Sequence, residues 1–303
     1  MAMDLLAAMR IFVRVVERGS MSAAARDLGI GQPAVSERID RLEAHIGVTL
    51  LRRNTRSITV TDAGTAFYTR SRQTLEAADE AIAAVAPERA ARGMLRIAAP
   101  QGLGDVVLPP ILLRLHARHP DLKVELVLSD RIVDPVTEGV DLSLRLGDGG
   151  NGNFIARRLG HVHRVLVAAP GYLAEHGAPA RPADLVDHPF ARVTGLFNTA
   201  RLPLTGPRGQ HVEAPLRIVW SMGQWRPVLA LLRDGGGIGV LQEPACAAEL
   251  ARGELVRLLP DHTVPGFDLH ALIPPGRPVP LKTRALLEML AEHLPQAIRP
   301  LLP

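Results

Sequence analysis

Residues 20–47, SMSAAARDLGIGQPAVSERIDRLEAHIG, decide how the N-terminal part of the chain folds. The pattern predicts two short amphipathic helices that are separated by a tight break. The first runs from about Ser22 to Leu28, with Ser20 or Ser22 as its cap, because a serine oxygen accepts an unpaired backbone N–H at a helix start. Gly29 ends this helix, since glycine readily adopts the left-handed conformation after a last turn.

The second helix starts near Gln32 and Pro33, because proline suits the first turn, where its missing N–H has no partner in any case. One face of this helix is apolar, at spacings of four, three and four: Val35, Ile39, Leu42 and Ile46. The opposite face carries hydrogen-bonding side chains: Gln32, Ser36, Glu37, Arg38, Asp40 and Arg41. A helix-turn-helix needs one packed face and one face that is free to enter a major groove. An ordinary helical hairpin with a solvated face shows the same pattern, so the helices alone leave both interpretations open.

A basic segment follows these helices directly. Residues 48–61, VTLLRRNTRSITVT, contain Arg52, Arg53 and Arg56 and end in a β-branched run that favours a strand. This predicts a two-stranded wing whose arginines reach phosphate or a minor groove. On the helix itself, arginine suits guanine edges and Gln32 suits adenine. A helix-turn-helix followed by a basic wing is much more specific for DNA binding than either part alone.

These residues resemble the LysR-type transcriptional regulators. The pattern S-x-S-A-A-A-x-x-L-x-I-x-Q-P-A-V-S-x-x-I-x-x-L-E-x-x-I-G is met by residues 20–47, and the run Thr61-Asp62-Ala63-Gly64 after the wing also matches. The resemblance extends over essentially the whole chain. Gly31 stands where the family usually has Ser or Thr, which removes a capping hydroxyl, and Leu51 replaces a common Phe. The candidate DNA-binding residues are Ser22, Gln32, Pro33, Ser36, Glu37, Arg38, Arg41, Arg52, Arg53 and Arg56.

Length and composition indicate an ordinary globular protein. The 303 residues suggest two or more domains, and 47% hydrophobic with 22% charged residues is typical of such chains. Residues 1–72 hold eleven arginines against seven carboxylates, which accounts for the whole net charge of +4. Aromatic content of 3% argues against a single-strand binder built on stacked bases. Charged residues interrupt the N-terminal apolar run, and no run of about 18 apolar residues occurs, so we expect a cytoplasmic protein without a signal peptide or membrane span. The resemblance to DNA-binding regulators implies that the protein is nucleoid-associated.

Two further helices are predicted in this part of the chain. Residues 4–18 form one, capped by Asp4, whose packed face is Leu5, Met9, Phe12, Val13 and Val16. Residues 62–86 form a long helix whose apolar positions recur at three and four over about six turns, which suits a partner helix. An amphipathic helix packed on its own domain is the alternative. The resemblance implies a linker helix that makes dimers or a dimer-of-dimers tetramer on dyad-symmetric double-stranded DNA. The candidate dimerisation residues are Phe67, Leu75, Ala78 and Ile82.

From Met94 strands alternate with helices, which predicts a mainly parallel α/β sheet covered on both faces. Strands are expected at 94–100, 122–128, 140–147, 154–160, 163–170, 216–221, 237–242, 254–259 and 269–274. The alternation resembles a two-lobed, periplasmic-binding-protein-like (type 2) effector domain, with chain crossings near 160–163 and 264–268. The fold class is therefore multidomain α + α/β. The domains are 1–61, a winged helix-turn-helix; 62–92, a linker helix and hinge; and 93–303, an effector-binding domain with lobe one at about 93–161 and 266–303 and lobe two at about 162–265.

Ligands of open α/β sheets gather where strands end and helices begin, which predicts an unknown small-molecule effector between the lobes. The candidate residues are Pro100, Gln101, Gly102, Leu103, Gly147, Leu196, Phe197, Met222, Trp225 and Phe267. Core residues at a lobe interface would give the same pattern. The helix after Gly104 offers backbone N–H groups to an anion. Many family members have Ser or Thr where this chain has Gln101, which argues against a small carboxylate, and Trp225 suits an apolar or aromatic ligand instead.

An α/β enzyme with an N-terminal accessory domain is the alternative function, and a binding protein without DNA activity is a rival for the C-terminal part alone. No G-x-S-x-G motif and no obvious carboxylate pair occurs, so we expect no catalytic residues, cofactor or metal. The glycine run 235–239 follows a helix and precedes a strand, the reverse of a dinucleotide fingerprint. His161 and His163 show no ligand-spaced partner in sequence. Cys246, the single cysteine, excludes an internal disulfide and is expected to be a small buried hydrophobe.

Overall fold

The structure is a computed structural model that describes residues 3–54, 57–84, 91–131, 133–136, 138–150, 152–195, 199–275 and 279–300. The chain divides into two compact units, residues 1–89 and 90–303, which we describe separately. None of the helices within the described ranges is both long enough and apolar enough to cross a membrane.

The first unit is a helical core followed by a two-stranded wing and a long helix. Its elements are α1 Leu5–Arg18, α2 Met21–Leu28, α3 Gln32–Ile46, β1 Leu51–Asn54, β2 Ser57–Val60 and α4 Asp62–Ala84. The Asp4 side chain caps α1 by accepting the N–H of Ala7 at 3.0 Å. Ser20, rather than Ser22, caps α2 by accepting the N–H of Ala23 at 3.3 Å. The predicted order of helices and strands is confirmed, since local capping and spacing signals determine each of them.

The predicted packed face of α1 is only partly right. Phe12 is buried and Val16 packs partly against the core, as predicted, but Leu5 is 38% exposed and the other buried residues are Ala8, Ile11 and Val15. This helix is apolar around much of its circumference, so a spacing of three and four selects two adjacent stripes equally well. Packing decides between them, because α1 contacts α2, α3 and α4 at once.

α3 is joined to the wing by the side chain of Glu43. Its Oε1 accepts the backbone N–H groups of Leu50 and Leu51 at 2.7 and 2.9 Å. At the far end of the wing, the Thr61 hydroxyl accepts the N–H of Gly64 at 2.9 Å, at the start of α4. A Cβ on Gly64 would lie 2.1 Å from the carbonyl oxygen of Leu50, so only glycine fits there. The Glu43 and Thr61–Gly64 positions of the sequence pattern thus hold α3, the wing and α4 together.

The first half of α4 packs on the first unit's own core. The rings of Phe67 and Phe12 meet edge to face, with centroids 5.3 Å apart. Ser71, one turn further along α4, is fully buried. Phe67, which we predicted to contact a second subunit, therefore already has a partner within its own chain. Leu75 and Ala78 are partly exposed, and the side chain of Ile82 lies outside the described residues.

The second unit is a mixed α/β structure. Its strands are β3 Gly93–Ala99, β4 Leu122–Leu128, β5 Leu142–Leu146, β6 Ile155–Ala168, β7 Pro189–Val193, β8 Arg201–Thr205, β9 His211–Pro215, β10 Arg217–Met222, β11 Ile238–Gln242, β12 Val256–Arg257 and β13 Val264–Ile273. Its helices are α5 Gln101–Val106, α6 Leu108–Arg118, α7 Pro170–His176, α8 Trp225–Arg233, α9 Glu243–Ala251 and α10 Leu281–Ala297, with a 3₁₀ turn at Pro182–Asp187.

One sheet runs through the second unit, in the order β10-β7-β11-β6-β13-β5-β3-β4, with β12 paired to β6 and β8-β9 as a separate hairpin. β3 is parallel to β4 and β5, and β7 is parallel to β10 and β11. β6 and β13 are antiparallel to each other and to their outer neighbours. Two apolar cores pack on this sheet, one in each lobe. The core of lobe one surrounds Leu95, Leu142 and Leu286, and the core of lobe two surrounds Phe190, Val228 and Ile238.

The chain passes between the lobes along β6 and β13. We predicted two strands at 154–160 and 163–170, but they form the single strand β6, because pairing with β13 continues through the polar residues in between. Phe267 and Asp268 pair with Val162 and His161, so both predicted crossings lie inside this strand pair. Register shifts between Val264 and Phe267 and between Leu269 and His270 mark bulges, which increase local twist.

β7, PFARV, was not predicted as a strand. Its proline occupies the first strand position, which proline tolerates because no ladder N–H is lost within the strand. The strand lies between β10 and β11 and its Phe190 and Ala191 are buried. A short apolar run of this kind has no period that sequence reasoning can use.

Candidate functional site

In the first unit, the outer face of α3 is opposite its buried face. Val35, Ile39 and Leu42 are fully buried, and Ile46 packs partly against the same core. The outer face lines a shallow surface hollow with the following residues: Gln32, Pro33, Ser36, Glu37, Asp40, Arg41 and Ala44. The structure therefore brings together five of the α3 residues that we proposed for DNA binding.

Arg38 lies apart from this set. It is exposed, but it lines a different hollow, together with Asp4 and Arg10 of the α1 segment and Ile30 before α3. Its position, on the flank of α3 that faces α1, follows from the 100° turn per residue that separates it from Glu37. The structure thus places Arg38 in a different hollow from Gln32, although both are candidate DNA-binding residues.

Two charged side chains of the outer face form a weak ion pair with each other. Glu37 and Arg41 approach to 3.4 Å, with side chains 64% and 72% exposed. An exposed pair four residues apart on a helix contributes only about 0.3–0.5 kcal/mol, so either side chain is free to exchange this contact for one with a ligand. Gly31 precedes α3 without a side-chain capping bond, which leaves the first-turn N–H groups without an acceptor from the cap.

The remaining DNA-binding candidates of the first unit lie on α2 and in the wing. Ser22 is exposed on α2, and Arg52 is exposed on β1, where its Cα pairs with Thr59. Only the backbone of Arg53 is described, paired with Ile58, and Arg56 lies outside the described residues.

In the second unit, a cavity of about 270 Å³ lies between lobe one and lobe two. Four predicted residues line it: Pro100, Gly102, Trp225 and Phe267. Leu103 instead lies in the core of lobe one, and Met222 packs against the core of lobe two. Gly147 is outside the wall and donates its N–H to the carbonyl of Asp268 at 2.8 Å. Leu196 and Phe197 lie outside the described residues.

The cavity wall also contains a buried cation that sequence reasoning missed. Arg164, on β6, is 7% exposed. Its Nε donates to the carbonyl oxygen of Pro265, and its guanidinium lies over the ring of Phe267, 4.3 Å from the centroid. Burial lowers the pKa of Arg164 to about 10, which leaves it charged at neutral pH. An arginine within the apolar run HRVLVAA was the available signal, because a charge rarely occupies a buried strand without a role.

The start of α5 is already occupied by a side chain. Gln101 donates its N–H to Oδ1 of Asp130 at 3.0 Å. We expected the helix after Gly104 to offer backbone N–H groups to an anion, but the first helix of this region begins earlier, at Gln101, and the chain's own carboxylate takes the N–H of that residue. Gln101 itself does not line the cavity.

Two contacts join the lobes beside the cavity. Oδ2 of Asp105, on α5 of lobe one, accepts hydrogen bonds from Nε1 of Trp225 at 3.0 Å and from Nε of Arg226 at 2.9 Å, both on α8 of lobe two. A Cβ on Gly102 would lie 2.7 Å from the amide oxygen of Gln242, so glycine permits the close approach of α5 to β11. The oxygen Oε1 of Gln242 is buried and has no hydrogen-bond partner among the described residues.

The structure also describes the surroundings of the cysteine and of a histidine that the sequence analysis considered as reactive or metal-binding residues. Cys246 is fully buried, and burial, followed by the nearby carboxylates Glu243 and Glu249, raises the pKa of its thiol to about 12. His161 does have a carboxylate partner, because its Nδ1 lies 2.9 Å from Oδ1 of Asp268 across the strand pair. Hydrogen bonds from Arg158 and His161 hold the pKa of Asp268 far below its usual range. Within the described ranges, no group of three or more His, Cys, Asp or Glu residues is arranged to hold a metal ion.

Family models match both units of the chain. The model of the "bacterial regulatory helix-turn-helix protein, lysR family" matches residues 6–65, and the "LysR substrate binding domain" matches residues 88–295. The HTH-type transcriptional regulator DmlR of Escherichia coli K12 is 34% identical over 97% of this chain and 97% of its own. The HTH-type transcriptional regulator PtxR of Pseudomonas aeruginosa is 34% identical over 93% of this chain and 91% of its own.

Solved structures show the same architecture. The full-length virulence activator AphB of Vibrio cholerae is 28% identical, with a TM-score of 0.61 over 96% of this chain and 100% of its own. CrgA of Neisseria meningitidis, a LysR-type transcriptional regulator, is 27% identical, with a TM-score of 0.62 over 95% of this chain and 98% of its own. The chain therefore belongs to the LysR family, as a DNA-binding transcription regulator with an effector-binding domain.

Proposed function

We propose that the outer face of α3 reads base edges in a major groove while the wing contacts the DNA backbone. The observation that carries this proposal is the separation of α3 into a fully buried apolar face and an exposed polar one. A helix anchored on one side can insert its other side into a groove without disturbing the core. The net positive charge of residues 1–72 supports the approach to DNA.

The side chains of the outer face suit different bases. Gln32 is suited to adenine and Arg41 to guanine, because each offers two hydrogen bonds in the geometry of that base edge. Glu37 is suited to cytosine, whose N4 amino group donates to a carboxylate. Arg52, on the wing, serves the phosphate backbone, which positions the protein without reading sequence.

The regulator acts as a homodimer or a dimer of such dimers on a dyad-symmetric site. The second half of α4 supports this, because Leu75 and Ala78 continue the apolar stripe beyond the part that packs on the first unit's own core. Two copies related by a twofold axis place their α3 helices in half-sites separated by about one helical turn or a multiple of it. DNA as the partner places the protein on the nucleoid, in the cytoplasm.

A small-molecule effector occupies the cavity between the lobes and modulates DNA binding or bending. Walls contributed by both lobes support this role, since a ligand that touches both favours one lobe arrangement over others. The strand pair β6–β13 and the Asp105 contacts are the parts that such a change would alter. Effector and DNA then affect each other's binding reciprocally.

The test is a binding competition with the full-length protein at physiological salt. The chain's own promoter duplex, labelled, is titrated with protein in the presence of excess random duplex of equal length. We expect the promoter to be preferred by at least about 10³-fold. Equal affinity for both duplexes would contradict sequence-specific regulation. Arg52→Ala is expected to weaken binding to both duplexes alike. It should also reduce the slope of log K against log salt concentration by about the amount that one phosphate contact contributes.

A further inference from the structure

The chain enters the effector domain through a short segment, residues 91–93, that is hydrogen-bonded to lobe one. The backbone N–H of Ala91 donates to Nδ1 of His119 at 3.0 Å. Two residues later the N–H of Gly93 donates to the carbonyl oxygen of Asp121 at 3.3 Å, and β3 begins. Ala91 is 1% exposed and belongs to the apolar core of lobe one. A side chain that can change its protonation state therefore holds the residue at which the chain enters this domain.

The hydrogen bond from Ala91 requires a neutral His119. A backbone N–H can only donate, so Nδ1 must accept, and the proton of the neutral ring lies on Nε2. A protonated imidazole carries a hydrogen on both nitrogens, and its Nδ1–H would then meet the N–H of Ala91. Protonation therefore breaks this bond and leaves a buried N–H without an acceptor, which is costly unless the segment moves away.

The turn between α6 and β4 fixes the backbone of His119. This residue follows the last turn of α6, where its own N–H donates to the carbonyl of Leu115 at 2.9 Å. Its carbonyl accepts the N–H of Leu122, the first residue of β4, at 3.0 Å. Because both backbone groups of His119 are bonded within lobe one, a break at Nδ1 is expected to displace Ala91 rather than the turn.

The surroundings of His119 lower, on balance, its affinity for a proton. A histidine after the last turn of a helix is ordinarily stabilised as a cation by the helix dipole. Burial instead lowers the pKa of His119 below 6.5, and the neighbouring Arg118 lowers it further, while Glu288 of α10 raises it. Arg118 is itself paired at 3.8 Å with Glu292 of α10, and the exposed Asp121 follows in the turn. The hydrogen bond at Nδ1 is therefore fully present above pH 6.5 and weakens as the pH falls below that value toward the lowered pKa.

We propose that His119 is an acid-sensitive latch at the entry to the effector domain: protonation of its ring releases Ala91 and loosens the connection between the two units of the chain. Acid then weakens promoter binding, because DNA-reading units attached through a looser connection lose more conformational freedom when both occupy their half-sites. The release itself is independent of the proposed function, since His119 and Ala91 both lie in the second unit. Only the effect on promoter binding rests on the proposed DNA-reading homodimer.

Hydrogen exchange followed by mass spectrometry tests the release in the full-length protein. His119→Asn keeps an acceptor oxygen close to the position of Nδ1 but does not titrate, whereas His119→Ala removes the acceptor. Wild type and His119→Asn are expected to protect the peptide around Ala91 to a similar degree at pH 7.5. At pH 5.5 the wild type should exchange at least about threefold faster than His119→Asn, within the limit of about tenfold per pH unit that one proton sets. Comparison at equal pH removes the effect of pH on the intrinsic rate of exchange.

A second histidine on α6 supplies the matched control. His116 is exposed on the same helix, so His116→Asn should show the exchange of the wild type at both pH values. His119→Ala should exchange faster than the wild type at pH 7.5; if this variant does not fold, the comparison with His119→Asn decides alone. Equal exchange of wild type and His119→Asn at pH 5.5 would overturn the latch.

The promoter affinity of the same variants tests the consequence for DNA binding. Between pH 7.5 and 5.5 the wild type is expected to lose at least about twofold more affinity than His119→Asn, and His116→Asn should follow the wild type. An equal loss in wild type and His119→Asn would overturn the effect of the latch on promoter binding. Absence of any promoter preference at pH 7.5 would contradict the proposed function instead and would leave the exchange result as it is.

Discussion

The carboxylate of Asp105 accepts a hydrogen bond from the indole Nε1 of Trp225 at 3.0 Å, and this contact joins the two lobes of the effector domain. Arg226 adds a second bond to the same oxygen. The side chain of Asp105 is 19% exposed, while that of Arg226 is 59% exposed, so the indole contact is the better shielded of the two. It lies beside the cavity, whose wall includes Trp225 but not Asp105.

Replacement of this carboxylate is expected to loosen the lobes. Asp105→Ala should lower the free energy of unfolding by about 1–3 kcal/mol, because the buried indole N–H then loses its acceptor. Arg226→Gln should cost less than about 1 kcal/mol, since its pair is exposed. Urea unfolding followed by tryptophan emission measures both, with Trp220→Phe as the background so that Trp225 alone reports. Equal effects of the two variants would show that the indole contact contributes little.

Gly64 is required by the packing of α4 against the wing. Gly64→Ala places a Cβ 2.1 Å from the carbonyl oxygen of Leu50 and is expected to destabilise the first unit by about 2 kcal/mol or more. Gly31→Ala is the matched control, since its Cβ would meet only the ring of Pro33 at 3.7 Å. Thermal unfolding of the two variants should give a clear loss of Tm for the first and little change for the second. A similar Tm for both variants would show that the packing of α4 against the wing does not require glycine at position 64.

His188 should make the stability of the protein pH-dependent. It is 7% exposed and its Nδ1 lies 2.8 Å from the hydroxyl of Tyr172; burial lowers the pKa of His188 below 6.5. The unfolded chain therefore takes up a proton before the folded one does. Stability is fully present above pH 6.5 and falls below it, by at most about 1.4 kcal/mol per pH unit from this group.

The measurement is urea unfolding at pH 7.5 and 5.5. His188→Asn should reduce the difference between the two free energies, whereas His211→Asn, at an exposed position, should not. An identical pH dependence in wild type and His188→Asn would mean that other groups cause it.

Cys246 should be chemically inert in the folded protein. With its pKa raised to about 12 and its side chain fully buried, almost none of it is thiolate at pH 8. We expect a disulfide reagent such as dithionitrobenzoate to label the native protein negligibly within an hour and to label one thiol per chain in guanidinium chloride. Rapid labelling of the native protein would indicate that α9 opens readily.

These elements also show which features can be read from sequence. The α2–α3 helix pair, the wing and the start of α4 were predicted because each depends on local signals: Ser20, Gly29, the Val35–Ile46 spacing and Thr61–Gly64. The buried face of α1 was partly misassigned, with Leu5 in place of Ala8 and Ile11, because two adjacent stripes fit the same spacing. The division of β6 into two strands was wrong because pairing with the distant β13, not local sequence, defines it.

The candidate effector site could be predicted only in part from the sequence. Pro100, Gly102, Trp225 and Phe267 follow from the general position of ligands at strand ends. Arg164, however, becomes part of the cavity through its position on β6 beside Phe267 of β13, about a hundred residues away. Likewise, the capping of Gln101 by Asp130 joins residues that no local pattern connects.

The most direct test of the account compares Gln32→Ala, Glu37→Gln and Arg38→Ala on a duplex containing the operator and on a set carrying every single base-pair substitution. We expect Gln32→Ala and Glu37→Gln each to abolish discrimination at one base pair per half-site, a change of about 1–3 kcal/mol there, with the other positions unaffected. Arg38→Ala, on the flank of α3, should leave the pattern of base preferences unchanged. Loss of discrimination at a single base pair with Arg38→Ala, together with uniform or absent effects of Gln32→Ala and Glu37→Gln, would contradict the outer face of α3 as the surface that reads DNA.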